Sequence, residues 1–137
     1  MNTARTDALG QLLLRLTLGG LLLVHGLWKV FNGADGIYRM VGATGLPTAI
    51  GHLVYVGEVL APVLVLVGLF ARPAALVIAF HMVVALLLAH TSQFFTLSKS
   101  GGWALELQAF FLLSALVIAL QGAGPLRVGR PATRWWQ

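Results

Sequence analysis

Cysteine is absent from the 137 residues, and charge is scarce: only 9% of positions are Asp, Glu, Lys or Arg. Without cysteine the chain has no disulfide, thiolate metal site, cysteine-ligated iron–sulfur cluster or thiol redox chemistry of its own. An ordinary soluble domain has roughly 25% charged residues, because a globule in water needs polar side chains over its surface. A soluble enzyme, a disordered chain and a nucleic-acid-binding module are therefore poor descriptions. Acidic residues number 4 against 9 Lys and Arg, for a net charge of +5. No basic run accompanies that excess, so no nucleic-acid partner is expected. Strand-type alternation is also missing, which argues against a β-barrel.

What is present is apolar. Hydrophobic residues make up 58% of the chain, and the mean hydropathy is +0.88. The length suits one domain, and the lipid bilayer is the expected partner. A hydrocarbon core of about 30 Å is crossed by about 20 helical residues. Four stretches approach that length: Leu9–Phe31, Ile50–Phe70, Pro73–Phe95 and Trp103–Leu120. The expected fold class is an all-α membrane protein, with four transmembrane helices in an antiparallel bundle.

The connections support that order. Ala71-Arg72-Pro73 leaves room only for a tight hairpin between spans two and three, with Pro73 suited to a first helical turn. Ser98-Lys99-Ser100-Gly101-Gly102 is a flexible polar turn before span four. The longer piece Asn32–Ala49 holds Ile37, Met40 and Val41 at helical spacing, which predicts a short interfacial helix before Gly45-Leu46-Pro47. Span one is too long for a signal peptide and is interrupted by Arg15, so it reads as a retained helix.

Basic residues set the orientation. Arg5, Arg72, Arg127, Arg130 and Arg134 lie on one side, and Lys29, Arg39 and Lys99 on the other. The positive-inside rule then puts both termini in the cytoplasm. Trp28, Tyr55, Trp103, Trp135 and Trp136 read as interfacial aromatic anchors.

An ionisable side chain inside a bilayer is costly and faces the bundle interior, pairs or snorkels. The spans nevertheless contain Arg15, His25, Lys29, Glu58, His81, His90 and Glu106. Alternating topology places His25, Lys29, Glu58, His90 and Glu106 in the outer half. An outgoing helix ends in a histidine and the returning helix begins with a glutamate, twice over: His25 with Glu58, and His90 with Glu106. These five are the candidate ligand-binding or proton-relay residues, with Arg15, Trp28, Tyr55 and Trp103 in support. Arg15 also reads as a structural clamp, hydrogen-bonded to helix ends or to a glutamate. His81 lies nine residues before His90, half a turn out of phase, so both cannot face one site. His90 is assigned to the site, and His81 reads as a satisfied histidine inside the bundle. Pro62 has no N–H to give the carbonyl of Glu58, which predicts a kink and a free backbone oxygen beside the carboxylate.

Several segments in order resemble one family. They are Leu14-Arg15-Leu16, Gly19, His25-Gly26-Leu27-Trp28-Lys29, Gly45-Leu46-Pro47, Gly57-Glu58, Gly68-Leu69-Phe70-Ala71-Arg72-Pro73-Ala74-Ala75, His90, Gly102-Trp103-Ala104-Leu105-Glu106 and Gly122-Ala123-Gly124-Pro125-Leu126. Together they are similar to the DoxX family over residues 1–126, leaving residues 127–137 as a basic cytoplasmic tail. The resemblance implies a small four-helix protein of the cell inner membrane. Some relatives are quinone-linked subunits of thiosulfate oxidation systems. Others act with superoxide dismutase and a sulfurtransferase in membrane oxidoreductase complexes. Many have no assigned activity.

The expected function is thus a membrane subunit associated with a redox system, binding a quinone, a quinol or a similar small ligand in an outer-half His/Glu cavity. A quinone headgroup needs hydrogen-bond partners and a route for protons, which His and Glu supply. No intrinsic cofactor is expected, so electrons come from a protein partner or a soluble donor; a homo-oligomer is the other assembly considered. Competing readings are a small-solute or proton-coupled transporter and a non-catalytic scaffold subunit. Two His and two Glu resemble the donor set of carboxylate-bridged bundle sites, but Ala61 and Ala109 stand where Glu-x-x-His needs histidine, so no metal is assigned. Haem held by His25 and His90 is the remaining cofactor option.

Overall fold

The computed structural model describes residues 3–128, and its regular structure is helical. Five elements organise it. Helix α1 is Thr3–Asn32 and α2 is Asp35–Ala43. Helix α3 is Thr48–Val67, α4 is Ala71–Ala89 and α5 is Glu106–Gln121. Helices α1, α3 and α4 are long and apolar enough to cross a membrane. Helix α5, at 16 residues, is a shorter apolar helix. It begins at Glu106, three residues later than the hydropathy suggests. Residues 97 and 103 instead pair as an isolated antiparallel bridge across the polar turn.

The segment after α1 does form a short helix, and it starts at Asp35. Helix α4 ends at Ala89, because the chain turns through Thr91–Gln93. The hairpin between α3 and α4 is as tight as the sequence requires. Gly68 takes a left-handed conformation with φ +77°, and Phe70 follows at φ 48°. A left-handed residue at a helix end is the common stop signal, and glycine adopts it without a Cβ penalty.

Small side chains let the helices approach closely. Ala61, Val65, Ala71, Ala74, Ala75, Ile78 and Met82 meet Leu18 and Leu22 of α1 and Phe111, Ala115 and Ile118 of α5 in one core. The outer faces are as apolar as the core: Leu13, Val24, Phe80, Leu113 and Leu120 are exposed. A soluble domain rarely leaves so continuous an apolar surface uncovered, whereas lipid covers it without cost.

Helix α3 is irregular where the sequence places Pro62. Residues Val56–Leu60 form a π-helical turn, and the N–H of Ala61 reaches back five residues to the Val56 carbonyl. The missing N–H of Pro62 is absorbed by widening one turn. Such turns are frequent at functional sites, and this one holds Glu58.

Candidate functional site

Glu58 is buried, at 7% exposure, and both of its carboxylate oxygens are engaged. The Lys29 ammonium donates to Oε2. The His81 ring donates from Nε2 to Oε1 at 3.0 Å. Three helices therefore supply one polar centre: α1 through Lys29, α3 through Glu58 and α4 through His81. A buried carboxylate is tolerated when donors replace its lost water. The side chains keep 22% (Lys29), 9% (Glu58) and 16% (His81) of their exposure, so the centre is reachable from outside the protein.

Two glycines make this geometry possible. A Cβ on Gly26 would collide with the carbonyl oxygen of Glu58. Only the bare backbone of α1 fits against α3 at that level, and Lys29, one turn on, then reaches the carboxylate. A Cβ on Gly57 would collide with Cγ of His81. The imidazole lies in the space that this side chain would fill. Tyr55 adds a contact, its hydroxyl donating to the Lys29 carbonyl at 3.4 Å.

The other sequence candidates lie apart from this centre. His25 is exposed; its Nδ1 donates to the Leu21 carbonyl at 2.9 Å, and its ring meets the edge of Phe111. His90 donates from Nδ1 to Gln93 Oε1 at 3.2 Å and accepts from the Gln108 amide at 3.3 Å. Glu106 is exposed and lies over Gly102. Among the described residues, no hydrogen bond or ion pair joins His25 to Glu58 or His90 to Glu106. The twofold His/Glu order in the sequence does not become a pair of contacts. Trp28 is exposed, and Trp103 donates its indole N–H to the Phe94 carbonyl at 2.8 Å.

His81 is the residue sequence reasoning set aside. His81 and His90 do have different partners, and the histidine that meets Glu58 is the earlier one. The signal in the sequence was Gly57, a residue without a side chain beside an intramembrane glutamate.

Arg15 is 1% exposed and makes a different kind of contact. Its guanidinium donates to four backbone carbonyls: Val65 and Leu66 at the end of α3, and Ala123 and Leu126 after α5, at 2.6–2.8 Å. It ties three parts of the chain together at the end opposite Lys29. Arg130, Arg134, Trp135 and Trp136 lie outside the described residues.

At the other end, Tyr38, Arg39, Gly42, Thr48, Ala49 and His52 line an open cavity of about 390 Å³ between α2 and α3. The Tyr38 and His52 rings lie 4.9 Å apart. The Tyr38 phenol is held above its ordinary pKa, chiefly by hydrogen bonding with Tyr55.

The DoxX family profile matches residues 10–91, which include α1 from its second turn, α2, α3 and α4. The chain belongs to the DoxX family. It is also 30% identical, over 115 residues, to the Bacillus subtilis (strain 168) protein named "Putative oxidoreductase CatD", covering 84% of this chain and 81% of that one. No solved structure matches it. Family and apolar helices together make this DoxX protein a membrane protein. The matched region contains Arg15, Lys29, Glu58 and His81, and it stops before Glu106.

Proposed function

We propose that this protein is a membrane subunit of a redox system that binds a quinone or quinol at the Lys29–Glu58–His81 centre. The observation that carries the reading is the buried carboxylate held between two proton-bearing side chains within the apolar spans. Quinone reduction and quinol oxidation move protons together with electrons. A site for either must present groups that give and take protons away from bulk water. Glu58, His81 and Lys29 are such groups, and an intramembrane ionisable cluster is a functional-site hypothesis by default. The relative's name, an oxidoreductase, points to the same class of chemistry. This chain supplies the binding and proton-handling side. Electrons come from a partner protein or a soluble donor.

The membrane arrangement belongs to the same proposal. Helix α5 joins α1, α3 and α4 as a fourth crossing in an antiparallel bundle, tilting little and thinning the bilayer locally. The protein sits in the cell inner membrane with both termini cytoplasmic, so that Arg15 lies near the cytoplasmic face.

Quinol binding to purified protein in lipid nanodiscs tests the function. Glu58→Gln and Lys29→Met each weaken binding at least tenfold. Wild-type affinity in both variants would remove the reading. The absence of native cysteine gives single-cysteine labelling a clean background for topology. Cysteines at positions 5 and 72 react from the cytoplasmic side, and one at position 99 reacts from the other.

A further inference from the structure

Arg15 and Lys29 spend their charge on partners inside the protein. Arg39 does not. It lines the cavity between α2 and α3 and is exposed. Among the described residues it makes no hydrogen bond and no ion pair. Asp35 stands four residues earlier on α2, a spacing that allows pairing, yet no ion pair joins the two. No acidic residue lines the cavity.

His52 lines the same cavity. Its Nδ1 donates to the Ala49 carbonyl at 3.0 Å. That bond sets the tautomer and leaves Nε2 as an acceptor. Among the described residues Nε2 has no hydrogen-bond partner. The Thr48 hydroxyl, also in the lining, has none either. Tyr38 and His52 form an aromatic wall, with ring centroids 4.9 Å apart. A Cβ on Gly42 would stand 3.2 Å from Cγ2 of Thr48, so a side chain there would close the gap between α2 and α3. The cavity thus collects a fixed positive charge, a neutral acceptor and a hydroxyl, all without partners.

Its level in the membrane adds to this. Thr48 is the first residue of the apolar span Thr48–Val67. The end of a span lies where hydrocarbon gives way to headgroups. A guanidinium donates two parallel hydrogen bonds to phosphate oxygens, and basic pockets at this level take lipid headgroups. The acceptor on His52 suits a hydroxyl carried by the phosphate or by the group esterified to it. The volume of about 390 Å³ is that of a small-molecule site.

We propose that the cavity between α2 and α3 binds a phosphate group that carries or adjoins a hydroxyl, with Arg39 donating to the phosphate oxygens and His52 Nε2 accepting from the hydroxyl. Two sources share this chemistry. One is the headgroup of an anionic, hydroxyl-bearing phospholipid such as phosphatidylglycerol. The other is a soluble phosphate monoester. The site uses none of Lys29, Glu58 and His81, so it stands or falls apart from the quinone reading.

The purified full-length protein is placed in two kinds of nanodisc, phosphatidylcholine alone and phosphatidylcholine mixed with phosphatidylglycerol. Native mass spectrometry reads the lipid retained, and calorimetry reads glycerol 3-phosphate titrated into the pure phosphatidylcholine discs. Wild type retains phosphatidylglycerol over phosphatidylcholine by about fivefold, the effect of one basic group at a lipid surface, or binds glycerol 3-phosphate. Arg39→Gln abolishes whichever is seen. Arg39→Lys keeps the charge without the fork and retains part of it. His52→Phe keeps a ring, loses the acceptor and weakens binding. Lys99→Gln removes an exposed cation outside the cavity and changes nothing. Lipid preference alone assigns the site to the headgroup, and glycerol 3-phosphate binding alone assigns it to a soluble ester. Absence of both in wild type overturns the proposal. So does wild-type behaviour of Arg39→Gln, or an equal loss in Lys99→Gln, which would mean diffuse attraction with no site. Thermal unfolding verifies that each variant folds. If His52→Phe does not, the two Arg39 variants decide, since Arg39 has no contact of this kind to lose.

Discussion

Arg15 and Glu58 are both buried charged groups on the seam between α1 and α3, yet their partners have nothing in common. Arg15 spends its donors on four backbone carbonyls at the ends of other segments. Backbone carbonyls do not titrate and do not leave, so this end of the molecule is fixed. Glu58 is held by two side chains that themselves carry protons and come from two other helices. It sits in a widened turn and stays partly reachable. The contrast separates a charge that joins the fold from a charge that is available for chemistry. Burial alone does not make that distinction, since both groups are buried; the nature of the partners does.

Removing the clamp has the largest expected effect. Arg15→Met leaves four carbonyls without their donor, and each orphaned buried group costs about 1–3 kcal/mol. Thermal unfolding in detergent shows a severe loss of stability, and Arg15→Lys recovers part of it, because an ammonium lacks the planar fork. A variant as stable as wild type would show that the carbonyls find other donors and that the clamp is dispensable.

Glu58→Gln inverts the pattern. Quinol affinity falls tenfold or more, about 1.4 kcal/mol, while the unfolding temperature moves far less than in Arg15→Met. Pairing it with Lys29→Met is less destabilising than the sum of the two single changes, because no cation is then left without its partner. Strict additivity would mean that the two residues do not act as one unit.

Gly57→Ala sharpens the comparison without touching a charge. The added methyl meets the His81 ring, and overpacking of this kind costs about 1–3 kcal/mol. Affinity drops with it if the ring position matters, and circular dichroism confirms that the helices persist. Unchanged affinity would detach His81 from the site.

The smallest effects are expected at His25 and Glu106. Both are exposed, and among the described residues neither makes a hydrogen bond or ion pair with Glu58. His25→Ala and Glu106→Gln alter stability by about 0.5 kcal/mol or less and leave quinol affinity unchanged. A tenfold loss in either would extend the site well beyond Glu58.

Much of the fold was legible in the sequence because lipid imposes a simple rule. Apolar runs of sufficient length become helices, and three of the four stretches did so at membrane-spanning length. The short helix at Asp35 and the hairpin before Pro73 also followed from local chemistry. Pro62 was legible in kind: the missing N–H did disturb α3, although as a π-helical turn instead of a simple kink. The site was legible by half. Lys29 and Glu58 stood out as charges in apolar spans, and they meet. The order of His25 with Glu58 and His90 with Glu106 concerns depth; contact depends also on how each helix is rotated about its axis, and the two histidines hydrogen-bond elsewhere.

The sequence by itself determined that this chain is apolar, helical, free of thiol chemistry and provided with a few costly charges, because composition and periodicity are properties of the chain alone. Only the tertiary structure decided which of those charges meet. Gly26 lets α1 lie against the Glu58 backbone, and Gly57 opens the space that His81 occupies. Those close approaches fix the rotation of three helices relative to one another. They put His81, and neither His25 nor His90, on the carboxylate.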